Sequence, residues 1–512
     1  MIKNTKPSAI IIGAGLASLA SAALLGKKGY SVTVYDKNEM LGGRASLMVK
    51  DSKKGKFTFD KGPSWYMMPD VFEDFFKLLG ENIDDYLTLT HLSPSYRIFQ
   101  EGNKPNYDFY SDLEKNKKTF ESLEPGSGEV LEEFLKQTKY QYDIAISEFM
   151  YKNVDSVFDF FNKRVIALGR ELPMLKKQSD IVNKLFKNDL IQKVMQYQTV
   201  LLGTSPYDTP GIYTLMNYVD FGLGVWYPKG GIYQIPKALA KIAKKYDVTF
   251  KLSSNVNKII IEDGVAKGIT LKDGQKKFAD VVISNADYEH TEMNLIEKKY
   301  RTHSPKWWEK RTLAPSAFIL YLGVDGTIPS LSHHNLFFPD LWKENFDSIF
   351  NQKTWPSYPA FYICAPSKTD SSVAPPNTEN LFVLVPIAAG LDTSKVGKEA
   401  YAEKILEMVE KECKIPNLRK RILVKEIYSV EDFKKDYNAF KGTALGLAHT
   451  ISQSSFLRPN NTSKKVKNLY FTGAGTNPGI GMPICLISAE LVYKRIRQIK
   501  TPGPLTKKDL SK

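Results

Sequence analysis

Cysteine and histidine are the scarce residues of this 512-residue chain, with three of one and six of the other. Cys364, Cys413 and Cys485 stand far apart, with no CxxC spacing and no histidine cluster near them in sequence. That excludes a disulfide framework, points to a reducing compartment and predicts no metal site. No Ser-His-Asp or Cys-His set is recognisable either. Long apolar runs are equally few. Residues 8–26 alone are nearly free of charge over a length that could span a bilayer, and two glycines interrupt them, so they read as a strand and a helix. The first residues lack a charged-then-apolar leader pattern. These absences predict a cytoplasmic protein. There is no internal repeat and no low-complexity tract. The basic runs do not interleave with aromatics, so nucleic-acid binding has no support.

What is present is charge and aromatic bulk. Lys and Arg number 71 against 56 Asp and Glu, a net charge of +15. Clusters such as Lys53-Lys54, Lys244-Lys245 and Lys464-Lys465 fit a solvated surface, or docking on anionic lipid head groups. The chain exceeds what one hydrophobic core usually supports, so two domains are expected.

The organising stretch lies near the start. Ala9-Ile10-Ile11-Ile12 is a short apolar run that reads as a buried parallel strand. Gly13-Ala14-Gly15-Leu16-Ala17-Ser18 opens a small-residue helix, and Ser31 to Tyr35 is a second strand ending on Asp36. Strand, glycine turn, helix, strand and acid in this order describe a dinucleotide site. Gly13 allows the tight turn, and Gly15 lets the backbone approach a pyrophosphate at the helix N-terminus. Asp36 accepts ribose hydroxyls. Ser18 departs from the usual glycine or alanine at the third position. Gly42-Gly43-Arg44 follows as a second phosphate-binding turn, and Gly62-Pro63-Ser64-Trp65 lies beyond it.

The arrangement resembles the two-domain flavoproteins that include amine oxidases, protoporphyrinogen oxidase and carotenoid desaturases. The resemblance implies FAD as the cofactor. It also implies an α/β fold: a Rossmann-like FAD-binding domain of the amine-oxidase and dissociation-inhibitor type, with a discontinuous mixed-sheet and helical substrate domain. Cofactor-domain segments are expected at 1–82, 228–287 and 462–500, substrate-domain segments at 83–227 and 288–461, and a disordered tail at 501–512.

Along the chain, 71–79, 123–142, 181–200 and 401–413 read as helices, and 201–221 as cavity lining. Gly230-Gly231 precedes a helix over about 235–245. Short strands with Asp-Gly turns follow, over 248–250, 256–262 and 266–271. A buried strand runs through 279–287. In the family, the residue at the Val256 position meets the adenine through its backbone.

The most specific stretch is Tyr470-Phe471-Thr472-Gly473-Ala474-Gly475-Thr476-Asn477-Pro478-Gly479-Ile480-Gly481-Met482-Pro483. It reads as strand, glycine-rich turn and helix start. A helix N-terminus aimed at a flavin stabilises the negative charge that develops when the ring takes hydride. With Leu457-Arg458-Pro459, it resembles the C-terminal signature of the bacterial-type phytoene desaturases, and the likeness covers nearly the whole chain. Gly473, Gly475, Gly481 and Met482 are the cofactor residues it implies here. Asn477 stands where many members have histidine.

The resemblance implies oxidation of a long isoprenoid polyene at the membrane surface, with hydride passing to flavin and a proton leaving the adjacent carbon. An electron acceptor such as a quinone or oxygen would complete the cycle. The substrate offers few polar handles, so positioning in an aromatic tunnel should dominate. Trp65, Trp226, Tyr227 and Phe318 are candidate lining residues, each also compatible with ordinary core. No general base is identified. A carotenoid isomerase or saturase, or a terminal oxidase, would share these motifs. A dissociation inhibitor would hold isoprenoid tails on the same fold without needing the 473–483 turn.

Overall fold

The computed structural model describes residues 6–102, 104–156, 173, 176–393 and 396–511. Its organising layer is a five-stranded parallel sheet, ordered Thr249–Lys251, Ser31–Tyr35, Ser8–Ile12, Val281–Ser284 and Leu469–Phe471. In chain order this is 3-2-1-4-5, so the winding reverses between Ser8–Ile12 and Val281–Ser284. A crevice opens at the carboxyl ends of those two strands.

The central strands are apolar throughout because both faces are covered. Ala9, Ile11, Val32, Val34, Val281 and Ile283 pack under the helices Leu16–Lys27, Gln234–Lys244 and Met482–Arg497. Ile10, Ile12, Tyr35 and Val282 face the other way. They pack on the antiparallel strands Val256–Glu262 and Val265–Leu271.

The second layer is a seven-stranded sheet: Ile422–Tyr428, Ser316–Asp325, Thr378–Ile387, Phe361–Cys364, His334–Phe338, Tyr96–Gln100 and Tyr107–Phe109. Every pairing is antiparallel except that of His334–Phe338 with Tyr96–Gln100. The helix Lys398–Glu412 covers one face through Phe318, Leu320, Val383 and Val385. The parallel sheet draws on three separated stretches of chain, and this second sheet on the two stretches between them.

Three segments differ from expectation. The helix expected over 123–142 is present as Ser127–Ile144, starting after Gly126 with φ +84°, and a separate helix, Leu113–Leu123, precedes it. That expected over 181–200 becomes Gln178–Leu185, Asp189–Val194 and a 3-10 turn at Tyr197–Leu202. It breaks because Asn188 Oδ1 accepts the Leu190 and Ile191 N–H groups and starts a new helix. The tail from 501, expected to be disordered, is docked as far as Leu510. Leu505 and Leu510 are buried, Leu505 N–H donates to Glu490 Oε2 at 2.7 Å, and Lys494 Nζ donates to the Thr501 and Gly503 carbonyls. The tail is held by two buried leucines together with hydrogen bonds to Glu490 and Lys494.

Candidate functional site

At the carboxyl end of Ser8–Ile12, Gly13 turns at φ +92° and its N–H bonds the Tyr35 carbonyl at 2.7 Å. The helix Leu16–Lys27 starts immediately after Gly15, with no side chain capping it. The second glycine turn packs directly against the first. Gly42 N–H donates to the Ala14 carbonyl at 2.8 Å, and a Cβ on Gly43 would sit 3.3 Å from Gly15 Cα. A Cβ on Gly15 would come within 2.6 Å of Asn285 Oδ1. The Asp36 carboxylate straddles the turn, accepting Ala14 N–H at 2.6 Å and Asn38 N–H at 2.7 Å. Burial raises its pKa against these hydrogen bonds. Arg44 holds its guanidinium 5.3 Å from the Tyr437 ring centroid, with a buried Nε that has no hydrogen-bond partner. Gly62 is glycine because a Cβ there would meet the Arg44 carbonyl oxygen at 2.6 Å.

The C-terminal turn faces this pair. Gly481, at φ +130°, leads into Met482–Arg497, again without a side-chain cap, so the first N–H groups of the helix stay available. Two buried side chains hold the turn. Arg458 donates to the carbonyls of Leu447, Ala474 and Thr476 at 3.1, 2.7 and 3.1 Å, and burial lowers its pKa to about 10. His449 Nε2 accepts the Ile480 N–H at 3.1 Å, and its Nδ1 lies 2.7 Å from the Tyr213 hydroxyl. Accepting at Nε2 assigns the ring proton to Nδ1. Burial, then the nearby Arg458 charge, keep the imidazole neutral. Sequence reasoning missed His449. It looked for an imidazole at Asn477, whereas the ring at this turn arrives from a segment 28 residues earlier.

These turns open into one cavity of about 850 Å³. Gly13, Gly15, Asp36, Gly42, Gly43, Arg44, Gly62, Pro63, Val256, Gly475, Gly481 and Met482 all line it. Two expected residues do not. Ser18 is wholly buried in the helix–sheet contact. Gly473 lies against the Asn285 side-chain amide, where a Cβ would collide.

The charged lining residues Asp36, Lys37, Arg44, Lys61, Asp287 and Asp436 belong to the glycine-turn end. Beyond it the walls are apolar. Trp65 lines this chamber and stacks on His334 at 4.2 Å. The other three lining candidates do not. Trp226 stacks on His91 and donates Nε1–H to the Leu223 carbonyl. Tyr227 is buried, with its hydroxyl on Asp370. Phe318 fails by strand alternation: Ala317 and Ile319 face the chamber, and Phe318 packs on Tyr401 behind the sheet. Tyr197, Leu336, Phe338 and Phe382 form the wall instead. Ile451, Phe456 and Leu457 line the same cavity while remaining 38–48 % exposed.

A crevice at the reversal of a parallel sheet, continued into an apolar chamber under a second sheet, defines the class of doubly wound dinucleotide-binding α/β proteins. The comparisons with known proteins narrow it. The family described as flavin containing amine oxidoreductase matches residues 16–496. The chain belongs to that family, in the branch that holds the phytoene and carotenoid desaturases. It is 41% identical to the carotenoid 3,4-desaturase of Haloarcula japonica, over 94% of this chain and 96% of that one. It is 35% identical to the zeta-carotene-forming phytoene desaturase of Myxococcus xanthus, over 95% and 93%. A crystal structure of an oxidoreductase from Methanosarcina mazei shares the fold at 18% identity, with a TM-score of 0.64 over 95% of this chain and all of that one.

Proposed function

We propose that the protein is an FAD-dependent desaturase of a linear carotenoid precursor of the phytoene type, working at a membrane surface. The observation that carries this reading is the continuity of one cavity from paired glycine turns to an apolar chamber. The residues fit FAD. Two uncapped helix N-termini and the unpartnered Arg44 Nε are donors available to an anionic group, and the close-packed glycine turns line the cavity beside them. In this reading Asp36 holds the ribose, and Gly13, Gly15, Gly42, Gly43 and Arg44 the pyrophosphate. Val256 would meet the adenine, and Gly62, Pro63, Gly475, Gly481 and Met482 would hold the ring.

Bound FAD supplies a hydride acceptor. The chain's own residues do the rest. The start of Met482–Arg497 favours negative charge at the ring edge, and His449 with Arg458 fixes the turn that presents it. Trp65, Leu336, Phe338 and Phe382 exclude water and align the polyene. The exposed Ile451, Phe456 and Leu457 at the cavity support loading from a lipid surface, with a quinone or oxygen as the final acceptor. Domain boundaries at 82, 227, 287 and 461 belong to the same reading.

Pigment extraction from a host that accumulates colourless phytoene, with and without this gene, tests the assignment. A new visible absorption band is expected, and its position counts the conjugated double bonds. No change, with folded flavin-loaded protein in the cells, would overturn phytoene as the substrate.

A further inference from the structure

Outside the cofactor crevice, the sheet register assembles a group of side chains that the proposed reaction does not use. His334 and Cys364 are directly opposed across the antiparallel pair His334–Phe338 and Phe361–Cys364. His333 precedes that strand, and its carbonyl accepts the Ala365 N–H at 2.7 Å, tying the two strand ends together. One ring nitrogen from each histidine and the Cys364 Sγ lie within 4.8 Å of one another, and all three residues are buried.

The outer contacts of the rings are made. His333 Nδ1 meets Thr369 Oγ1 at 2.8 Å, and His334 Nδ1 meets the Tyr362 hydroxyl at 2.7 Å. Partners of this kind orient imidazoles that ligate through the other nitrogen. That other nitrogen, Nε2, has no hydrogen-bond partner on either ring. Leaving two buried ring nitrogens unsatisfied is costly unless something occupies them. The surroundings also favour a cation. Half-buried Asp60 acts electrostatically on Cys364 and buried Asp370 on His333, and neither pairs with a lysine or arginine among the described residues.

We propose that His333, His334 and Cys364 bind one thiophilic closed-shell cation, Zn²⁺ or Cu⁺, behind the wall of the apolar chamber. Imidazole and thiolate are the ligands these ions select. Donors about 2.1 and 2.3 Å from a common centre stand roughly 3.5–4 Å apart, so atoms within 4.8 Å of one another need close by at most about 1.3 Å. Because Trp65 stacks on His334 and Tyr362 bonds to it, the ion would fix two residues of the chamber wall.

The test uses the full-length, flavin-loaded protein, stripped with chelator and reduced anaerobically. Titration with Co²⁺ as the spectroscopic probe for the zinc arm should give a thiolate-to-metal absorption that saturates at one equivalent and is displaced by Zn²⁺. A parallel Cu⁺ titration, read by metal retained after gel filtration, distinguishes the ions. Cys364→Ser should abolish the thiolate band, and Thr369→Val should weaken retention roughly tenfold. Cys413→Ala, whose thiol lies elsewhere in the core, should bind as the parent does. The proposal fails if the parent protein retains neither ion at one equivalent. It fails equally if the thiolate band survives in Cys364→Ser. Should Cys364→Ser not fold, the parent titrations and Thr369→Val decide alone.

Discussion

His449 is one of the two buried side chains that hold the C-terminal glycine turn. Its Nε2 is the acceptor for Ile480 N–H, and the Tyr213 hydroxyl fixes the ring from the other side. Replacing it with leucine strands a buried amide, a loss of about 1–3 kcal/mol, and loosens the turn. His449→Leu is therefore expected to lower flavin occupancy and to reduce kcat more than it raises KM, since Trp65, Leu336, Phe338 and Phe382 of the apolar wall are unchanged. His449→Gln, which can still accept from Ile480 N–H, should recover most of the occupancy. Flavin absorbance per protein and steady-state kinetics read both. Asp36 makes a related point about residues. A carboxylate has about four lone-pair sites, and the chain uses two of them, so the ribose role read from its position is compatible with its structural one. Its spacing from Gly13 could be read from sequence because the strand–turn–helix–strand unit is local. His449 could not, because nothing near Ile480 in sequence names its partner.

At the scale of elements, the same contrast recurs. The parallel strands were legible as short β-branched runs, and their helices from small-residue or periodic patterns. Which face of a strand meets the chamber was not. Phe318 and Ile319 are neighbours with opposite fates, decided by pairing with Thr378–Ile387 and Ile422–Tyr428. The His334–Cys364 pair is likewise a product of register between strands 30 residues apart. The helix Leu215–Phe221 carries a further consequence. Its Asp220 is fully buried and accepts from the hydroxyls of Tyr96 and Tyr197 and from Gln198 Nε2, all on one oxygen. Burial outweighs these bonds and raises its pKa from 3.8 to about 6. The folded chain thus holds a proton that the unfolded chain releases. The associated stability is complete below pH 3.8 and is lost as pH rises to about 6. Two units correspond to about 3 kcal/mol. Asp220→Asn should flatten this slope and raise Tm above pH 6, with little difference near pH 4. Thermal melts across that range check it.

Over the whole molecule, two sheets built from interleaved stretches of chain meet at one cavity, and its mouth carries the exposed Ile451, Phe456 and Leu457. Among the described residues no helix is long and apolar enough to cross a membrane. Replacing the three side chains with serine should weaken sedimentation with anionic vesicles at least ~10-fold, since each buried apolar side chain contributes about 1.5–3 kcal/mol. Flavin content should be unchanged. Binding that survives the triple substitution would contradict loading through this rim and shift attention to the basic clusters.

The central claim is that the chamber delivers a polyene to a flavin that takes its hydride. Anaerobic mixing of the FAD-loaded protein with phytoene-containing vesicles tests it most directly, by following flavin absorbance and extracted product together. The account predicts bleaching of the oxidised flavin in step with product formation, one new double bond for each flavin reduced. Flavin that stays oxidised while the protein binds the vesicles and the phytoene is recovered unchanged would contradict it.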